Sequence, residues 1–280
     1  MSPELFDKLA AAVDGMPAFP KSVQKILELT RHLDCSPREL VQVIEKDPVV
    51  TVKVLRVVNA AYFSLPKPIT SINHAVVYLG FNTIKNLALG IAAIGIVPPN
   101  NVAGFDGRQC LLHCLSTAGI AKKLAPRVAG ADPMDSYVAG LLHDFGKLVL
   151  ARFLPAEFRT ALELSQCHQT SLHLALRDVI GADHAEVGAM LVEIWCFPAN
   201  LIEAIRFQYG PDTRDTPMIA CVFAANQISK KLQFGNGANP CAEELPPALA
   251  QRLGGSLDEV LDSVGDLTPV FEEAKVFSRL

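Results

Sequence analysis

One stretch decides how the chain is interpreted: Asp135-Ser-Tyr-Val-Ala-Gly-Leu-Leu-His143-Asp144-Phe-Gly-Lys147-Leu-Val-Leu150. It sets a histidine beside an aspartate among large apolar residues, a composition typical of a buried helix. Adjacent helical residues point about 100° apart, and a buried carboxylate is costly unless it is paired or binds a metal ion. His143 and Asp144 are therefore either a hydrogen-bonded structural pair or two ligands of an ion that neighbouring helices also coordinate.

A second histidine, His113, lies thirty residues before His143, within an apolar segment that has small residues at helical spacing. A lone histidine on such a face is more often a core residue than a ligand, so its interest comes from the pattern His113…His143-Asp144. Cys110 and Cys114 flank it and raise a local metal site as an alternative. No second cysteine cluster completes a tetrahedral set, which argues against that alternative.

Helix signals recur along the chain, whereas the alternating runs typical of strands are nearly absent. Ser36-Pro37-Arg38-Glu39 is a capping box with proline at the first helical position. Asp47-Pro48 repeats the cap with proline, and Ser256 with Glu259 gives a second box near the C-terminus. The sequence therefore predicts an all-α fold.

Turn-forming residues between positions 97 and 108 predict a boundary between two helical lobes. The expected organisation is an N-terminal lobe at 1–97, a helical bundle at 108–235 and a C-terminal extension at 236–280.

Composition excludes several classes of protein. Half of the 280 residues are hydrophobic, which excludes a disordered chain. The net charge of −4 argues against a nucleic-acid partner. The longest uncharged apolar run, 87–97, is shorter than the roughly 20 residues that a membrane-spanning helix needs. We expect no membrane insertion, a cytoplasmic location and seven cysteines that are free thiols.

The pattern His113…His143-Asp144, followed by Gly146-Lys147, resembles the opening of the HD superfamily of metal-dependent phosphohydrolases. A later stretch is similar to another segment of that superfamily: His184-Ala-Glu-Val-Gly188-Ala-Met-Leu-Val-Glu-Ile-Trp195-Cys-Phe-Pro198. N-terminal motifs narrow the resemblance to the HDOD family, the HD-related output domain of bacterial signalling proteins: Met16-Pro-Ala-Phe-Pro20, Ile44-Glu-Lys-Asp47-Pro48, Leu55-Arg56-Val-Val-Asn59-Ala-Ala-Tyr62-Phe63 and Ile69-Thr-Ser71-Ile72-Asn-His-Ala75-Val-Val-Tyr-Leu79-Gly80. The resemblance covers roughly residues 12 to 233 and implies an HD-type helical bundle joined to an N-terminal helical lobe.

The sequence departs from the hydrolase pattern at ligand positions. Asn226 stands where HD hydrolases carry a further aspartate on a late helix, and an amide supplies an oxygen but no negative charge. Phe207-Gln208 replaces the histidine pair of the cyclic-dinucleotide phosphodiesterases, whose Gly-Tyr-Pro signature is also lacking. A two-metal hydrolytic site needs ligands for both ions, so these departures favour a non-catalytic protein.

The resemblance implies a signal-transduction output or adaptor module that acts through signalling proteins as partners. The alternative is a metal-dependent phosphohydrolase with one divalent ion (iron, manganese, zinc or magnesium) held by His113, His143, Asp144 and Asn226. In that alternative Lys147 contacts the substrate phosphate. Binding of a small ligand or of nucleic acid is a further, weaker alternative.

Overall fold

The structure is a computed structural model, and it describes residues 3–16, 25–26, 29, 36–59, 67–81, 84–85, 87–88, 91, 104–195, 197–209, 213–239 and 241–278. Within these ranges the regular elements are helices and none is a β-strand, which confirms the all-α prediction. The helices are α1 (Pro3–Asp14), α2 (Pro37–Glu45), α3 (Pro48–Val58), α4 (Ile72–Leu79), α5 (Gly107–Leu124), α6 (Pro133–Leu142), α7 (Phe145–Phe153), α8 (Pro155–His168), α9 (Leu172–Ile180), α10 (His184–Ile194), α11 (Ala199–Arg206), α12 (Pro217–Lys231), α13 (Pro247–Leu253), α14 (Leu257–Val264) and α15 (Thr268–Phe277).

The predicted helix starts form as their sequences require. Ser36 Oγ accepts from the Glu39 amide, while the Glu39 carboxylate accepts from the Ser36 amide, so the capping box of α2 is complete. Asp47 caps α3 by accepting from the amides of Val49 and Val50. The box of Ser256 also forms at α14. Each cap satisfies amides that a helix leaves without partners at its first turn.

The chain divides into two compact units, Met1–Met16 with Val97–Leu267, and Pro17–Ile96 with Thr268–Leu280. In the larger unit α5 packs against α6 and α12, α7 packs against α10, and α1 packs against α7 and α10. In the smaller unit α2, α3 and α4 pack against one another. There the Asn59 side chain donates to the Leu55 and Ile69 carbonyls and accepts from the Ile69 amide, tying the end of α3 to that residue.

The predicted domain limits of 1–97, 108–235 and 236–280 remain a prediction about organisation. The two compact units differ from these limits because α1 packs within the larger unit and α15 belongs to the smaller one. The turn-forming residues 97–103 of the predicted boundary lie outside the described residues.

Five cysteines are free thiols: Cys110, Cys114, Cys167, Cys221 and Cys241. Cys35 and Cys196 lie outside the described residues, as does most of the apolar run 87–97. Among the helices that the structure describes, none has the length and the apolar character that crossing a membrane requires.

Two glycines allow the helices of the larger unit to approach closely. A Cβ at Gly140 of α6 would lie 2.9 Å from the Ala118 Cα of α5. A Cβ at Gly146 of α7 would overlap the His184 carbonyl oxygen at the start of α10. The close crossings bring the histidines of α5 and α10 toward the junction between α6 and α7.

Candidate functional site

The His143-Asp144 pair lies at a break between two helices, because α6 ends at Leu142 and α7 begins at Phe145. The sequence-based assumption that the two residues share one continuous helix is therefore wrong. The break lets both side chains turn toward one point, so that His143 Nε2 lies 3.4 Å from Asp144 Oδ2. Both side chains are fully buried.

The His143 ring is held by its backbone surroundings. Its Nδ1 lies 2.6 Å from the Gly140 carbonyl, and since a carbonyl only accepts, Nδ1 carries the proton. The Nε2 atom faces Asp144 Oδ2 and has no hydrogen-bond partner among the described residues. Gln208 donates to the His143 carbonyl at 3.0 Å and to the Ile205 carbonyl at 3.1 Å. Gln208 thus supports the backbone of His143.

His113 of α5 reaches the same centre and contacts the residue expected opposite it. Its Nε2 lies 3.1 Å from Asn226 Oδ1 and 3.7 Å from Asp144 Oδ2, and its Nδ1 lies 3.2 Å from Ser229 Oγ. Asn226 Nδ2 in turn donates to Tyr209 Oη at 2.5 Å. The structure therefore brings together His113, His143, Asp144 and Asn226. The Asn226 side chain bonds Nε2 of His113, which is the atom that would bind an ion.

His184, the first residue of α10, completes the cluster and was not among the predicted site residues. Its Nε2 lies 3.2 Å from Asp144 Oδ1, yet neither atom has an aligned hydrogen-bond partner. The capping box of Asp183 and Glu186 fixes the start of α10 and so positions this ring. The sequence pattern His184…Gly188 carried a signal for it, but only as a family motif.

Lys147 supplies the positive charge at the centre. It is 1% exposed, and its Nζ donates to Asp144 Oδ2 at 2.6 Å and to the Gly237 carbonyl at 2.6 Å. Lysine is rarely buried to this extent unless it is paired. The pair leaves the buried cluster with no net charge when the histidines are neutral.

The surroundings set the protonation states of these groups. Burial by itself raises the pKa of Asp144, but the adjacent His143 and Lys147 hold that pKa well below its usual range. Burial lowers the pKa of His113 to about 3, against the opposing attraction of Asp144. Burial also lowers the pKa of His184. At neutral pH the carboxylate is ionised and these two imidazoles are neutral, which are the forms that bind metal ions.

The residues present fit one divalent cation. One ligand atom from each of His113, His143 and Asp144 lies within 4.8 Å of the others. Three buried atoms without hydrogen-bond partners, His143 Nε2, Asp144 Oδ1 and His184 Nε2, also meet here. Buried polar atoms without partners are rare in folded proteins, and a bound water or ion often accounts for them. An ion would compete with Lys147 for Asp144 and with Asn226 for His113.

A metal site at Cys110 and Cys114 would have Asp144 as a third ligand, but this set is chemically unfavourable. Cys110, Cys114 and Asp144 offer ligand atoms within 4.8 Å of one another. Burial raises the pKa of the Cys114 thiol well above its usual range. Because the thiolate is the metal ligand, a protonated thiol argues against this set.

A surface groove of about 260 Å³ shares Tyr209 with the surroundings of the cluster. The Tyr209 ring stacks on His173 at 4.7 Å and lies 5.2 Å from His184, measured between ring centroids. The groove is lined by Phe6, Arg177, Glu186, Met190, Arg206, Phe207 and Tyr209.

Comparison with known proteins places these observations in a family context. The sequence profile of the HDOD domain matches residues 16–211. An uncharacterized protein of Treponema pallidum (strain Nichols) is 26% identical over 251 residues, which are 88% of this chain and 47% of that protein. The chain thus spans about half the length of this curated relative.

Solved structures with the same fold include three bacterial proteins. A protein of Shewanella amazonensis SB2B, provisionally named a phosphohydrolase, is 25% identical with a TM-score of 0.75, covering 96% of this chain and 97% of the other. An HDOD domain protein of unknown function from Geobacter sulfurreducens has 23% identity and a TM-score of 0.78, covering 98% and 96%. A protein of Marinobacter aquaeolei VT8, provisionally named a signal transduction protein, has 23% identity and a TM-score of 0.74, covering 98% and 65%.

Proposed function

Because the chain belongs to the HDOD domain family, we propose that it is a signal-transduction output or adaptor module, not an enzyme, and that it acts through protein partners. The provisional names of two structural relatives point to signal transduction in one case and to phosphoester hydrolysis in the other. The chemistry of the buried cluster supports the first.

The observation that carries the proposal is the position of Lys147. Its ammonium lies on the oxygen of Asp144 that also faces His113 and His143, where a catalytic cation would have to bind. Its second acceptor, the Gly237 carbonyl, comes from the chain itself. The Oδ2 atom of Asp144 is therefore paired with a cation from the chain itself, as expected of a site retained for structure.

Two neighbouring residues support the same conclusion. Asn226 contributes a neutral amide and bonds His113, so the site has one carboxylate where the hydrolase pattern has two. Gln208 bonds backbone carbonyls and offers no imidazole. One negative charge for the first ion and an imidazole ligand for a second ion are thus lacking, and a two-metal mechanism needs ligands for both ions.

The test combines turnover, metal content and partner capture. We expect the purified protein to hydrolyse neither cyclic di-GMP nor the generic substrates p-nitrophenyl phosphate and bis(p-nitrophenyl) phosphate when Mn²⁺, Fe²⁺, Zn²⁺ or Mg²⁺ is added. We also expect a tagged chain to capture specific signalling proteins from its source cell at moderate salt.

The matched control for turnover is Asp144→Asn, which removes the carboxylate of the cluster. Turnover that the wild-type protein shows and Asp144→Asn loses would contradict the proposal, because it would belong to this site. Turnover that persists in Asp144→Asn belongs to a contaminant. Capture of no specific protein would count against the adaptor role.

A second candidate function is hydrolysis at a mononuclear metal site. The observation that favours it is the meeting of unpartnered buried atoms from His143, Asp144 and His184. His113, His143 and Asp144, with Asn226 beside them, would hold the ion. A divalent cation supplies Lewis-acid chemistry for phosphoester hydrolysis, and Lys147, once released from Asp144, would neutralise phosphate charge.

Asn226→Asp tests whether the cluster binds a metal ion, which the second candidate requires. A second carboxylate near the cation should strengthen metal binding by roughly one to a few kcal/mol at an effective dielectric of about 20. Asp144→Asn should abolish binding. Calorimetric titration with Mn²⁺, Fe²⁺ and Zn²⁺ gives the affinities. An affinity that does not change in Asn226→Asp would leave the cluster as a hydrogen-bonded structural core.

A further inference from the structure

A short segment after α12 folds back over the buried cluster; we call residues 233–239 the strap. Gln233, Gly235 and Ala238 have positive φ angles of 55°, 74° and 60°, which reverse the chain direction. The Phe234 amide donates to the Ser229 carbonyl at 2.9 Å, and the Asn236 amide donates to the Gln109 carbonyl of α5 at 3.1 Å. These bonds fix the strap to both helices that carry His113 and Asn226.

The strap lies so close to the cluster that only glycine fits at two positions. A Cβ at Gly235 would overlap the His113 amide nitrogen and lie 2.7 Å from the Gln109 carbonyl oxygen. A Cβ at Gly237 would lie 2.7 Å from His113 Cδ2 and 2.9 Å from Asp144 Oδ2. Real Cβ atoms essentially never approach so closely. The strap backbone therefore covers His113 and Asp144 directly.

The strap also takes part in the charge balance of the cluster. The Gly237 carbonyl and Asp144 Oδ2 are the two acceptors of the Lys147 ammonium, each at 2.6 Å. If the strap were displaced from the cluster, Lys147 would lose one of its two hydrogen-bond acceptors and the space beside Asp144 Oδ2 would open.

Glu243 secures the chain just beyond the strap. Its amide donates to Gln227 Oε1 at 2.9 Å, and its carboxylate accepts from Ser171 Oγ at 2.5 Å. His173 Nδ1 lies 3.9 Å from the same carboxylate. None of these residues contacts Asp144 or Lys147 in the hydrogen bonds and ion pairs described, so altering Glu243 removes no direct contact of those two residues.

We propose that the strap is a displaceable lid that keeps divalent cations out of the His/Asp cluster, and that Glu243 holds it closed. The proposal deepens the proposed function and rests on it, since a module that does not turn over substrate can keep this site sealed. Release of the strap exposes Asp144 and frees Lys147 from Gly237.

The experiment opens the strap in two independent ways and uses Mn²⁺ as the probe. Gly235→Ala forces the strap away from α5, and Glu243→Ala removes the contacts with Ser171 and His173. The matched control is Gly254→Ala, because Gly254 also has a positive φ, +85°, but an added Cβ there meets nothing within 4 Å. Mass-spectrometric hydrogen exchange follows the amides of Phe234 and Asn236, and calorimetry measures Mn²⁺ affinity.

We expect both strap variants to raise exchange at these amides at least tenfold and to tighten Mn²⁺ binding at least tenfold, while Gly254→Ala changes neither. Unchanged exchange in folded Gly235→Ala and Glu243→Ala would overturn the lid, as would faster exchange with Mn²⁺ affinity that stays at the wild-type value. If Gly235→Ala fails to fold, Glu243→Ala decides. Phosphoester turnover by the wild-type protein refutes the proposed function but not the lid, which is judged on exchange and affinity alone.

Discussion

Replacing Gly146 by alanine should destabilise the folded protein by about 3 kcal/mol or more, because overpacking costs about 1–3 kcal/mol and occasionally more. A Cβ there would overlap the His184 carbonyl oxygen and lie 2.6 Å from the Gly188 amide nitrogen. Both neighbours are backbone atoms of α10, and neither can rotate away as a side chain can. The helices α7 and α10 would have to separate.

Urea denaturation of Gly146→Ala against wild type measures the change in the free energy of unfolding. Gly188→Ala is the matched control at the same crossing, since its Cβ would come only within 3.2 Å of the Gly146 amide nitrogen and 3.3 Å of Ile205 Cγ2. We expect a clearly smaller loss there. Equal unfolding midpoints for Gly146→Ala and wild type would show that the crossing is not tight.

Replacing Lys147 by methionine should destabilise the protein by about 3–5 kcal/mol, the usual effect of removing one partner of a buried ion pair. Methionine preserves much of the side-chain volume but leaves the fully buried Asp144 carboxylate without its cation. The Gly237 carbonyl loses its donor as well. Urea denaturation at pH 7 gives the free energy of unfolding.

The control is Lys230→Met, which removes another buried lysine. Among the described residues, the hydrogen bond of Lys230 Nζ is a long one of 3.4 Å to Gln227 Oε1, and its ammonium lies 5.9 Å from the centre of the Tyr209 ring. Burial lowers the pKa of Lys230 to about 8. We expect its replacement to cost much less. A double variant, Lys147→Met with Asp144→Asn, should recover stability because the uncompensated charge is removed. Equal losses for the two lysine variants would contradict the ion-pair argument.

The buried groups Asp144 and His113 predict how the stability of the protein responds to acid. The pKa of Asp144 is held well below its usual range in the folded state. Such a carboxyl contributes stability above its unfolded-state pKa near 3.9 and loses it as the pH falls through the folded-state pKa. The pKa of His113 is about 3 in the folded state and near 6.5 in the unfolded state. The unfolded state therefore binds the extra proton first, and stability also falls as the pH falls from about 6.5 to about 3. Acid should therefore unfold the wild-type protein through this cluster.

The sequence by itself determined the class of fold and the chemical identity of most of the cluster. Local rules sufficed for the helix starts at Ser36, Asp47 and Ser256, because a cap satisfies amides within the same turn. The pattern His113…His143-Asp144 and the amide at Asn226 were visible as residue types, and the structure brings these four residues together. Their role with a metal ion stays a prediction.

The tertiary structure alone decided how that cluster is satisfied. The position of Lys147 in the sequence does not show whether its ammonium faces a phosphate or Asp144. Its second contact, with the Gly237 carbonyl of the strap, joins residues that are 90 positions apart. Three other features also depend on helices that cross closely at glycines. They are the break between α6 and α7, the position of His184 beside Asp144, and the bond from His113 to Asn226, which lies 113 positions away. Local sequence rules govern hydrogen bonds within a helical turn, whereas the partner of a buried charge depends on which distant backbones pack closely enough to exclude water.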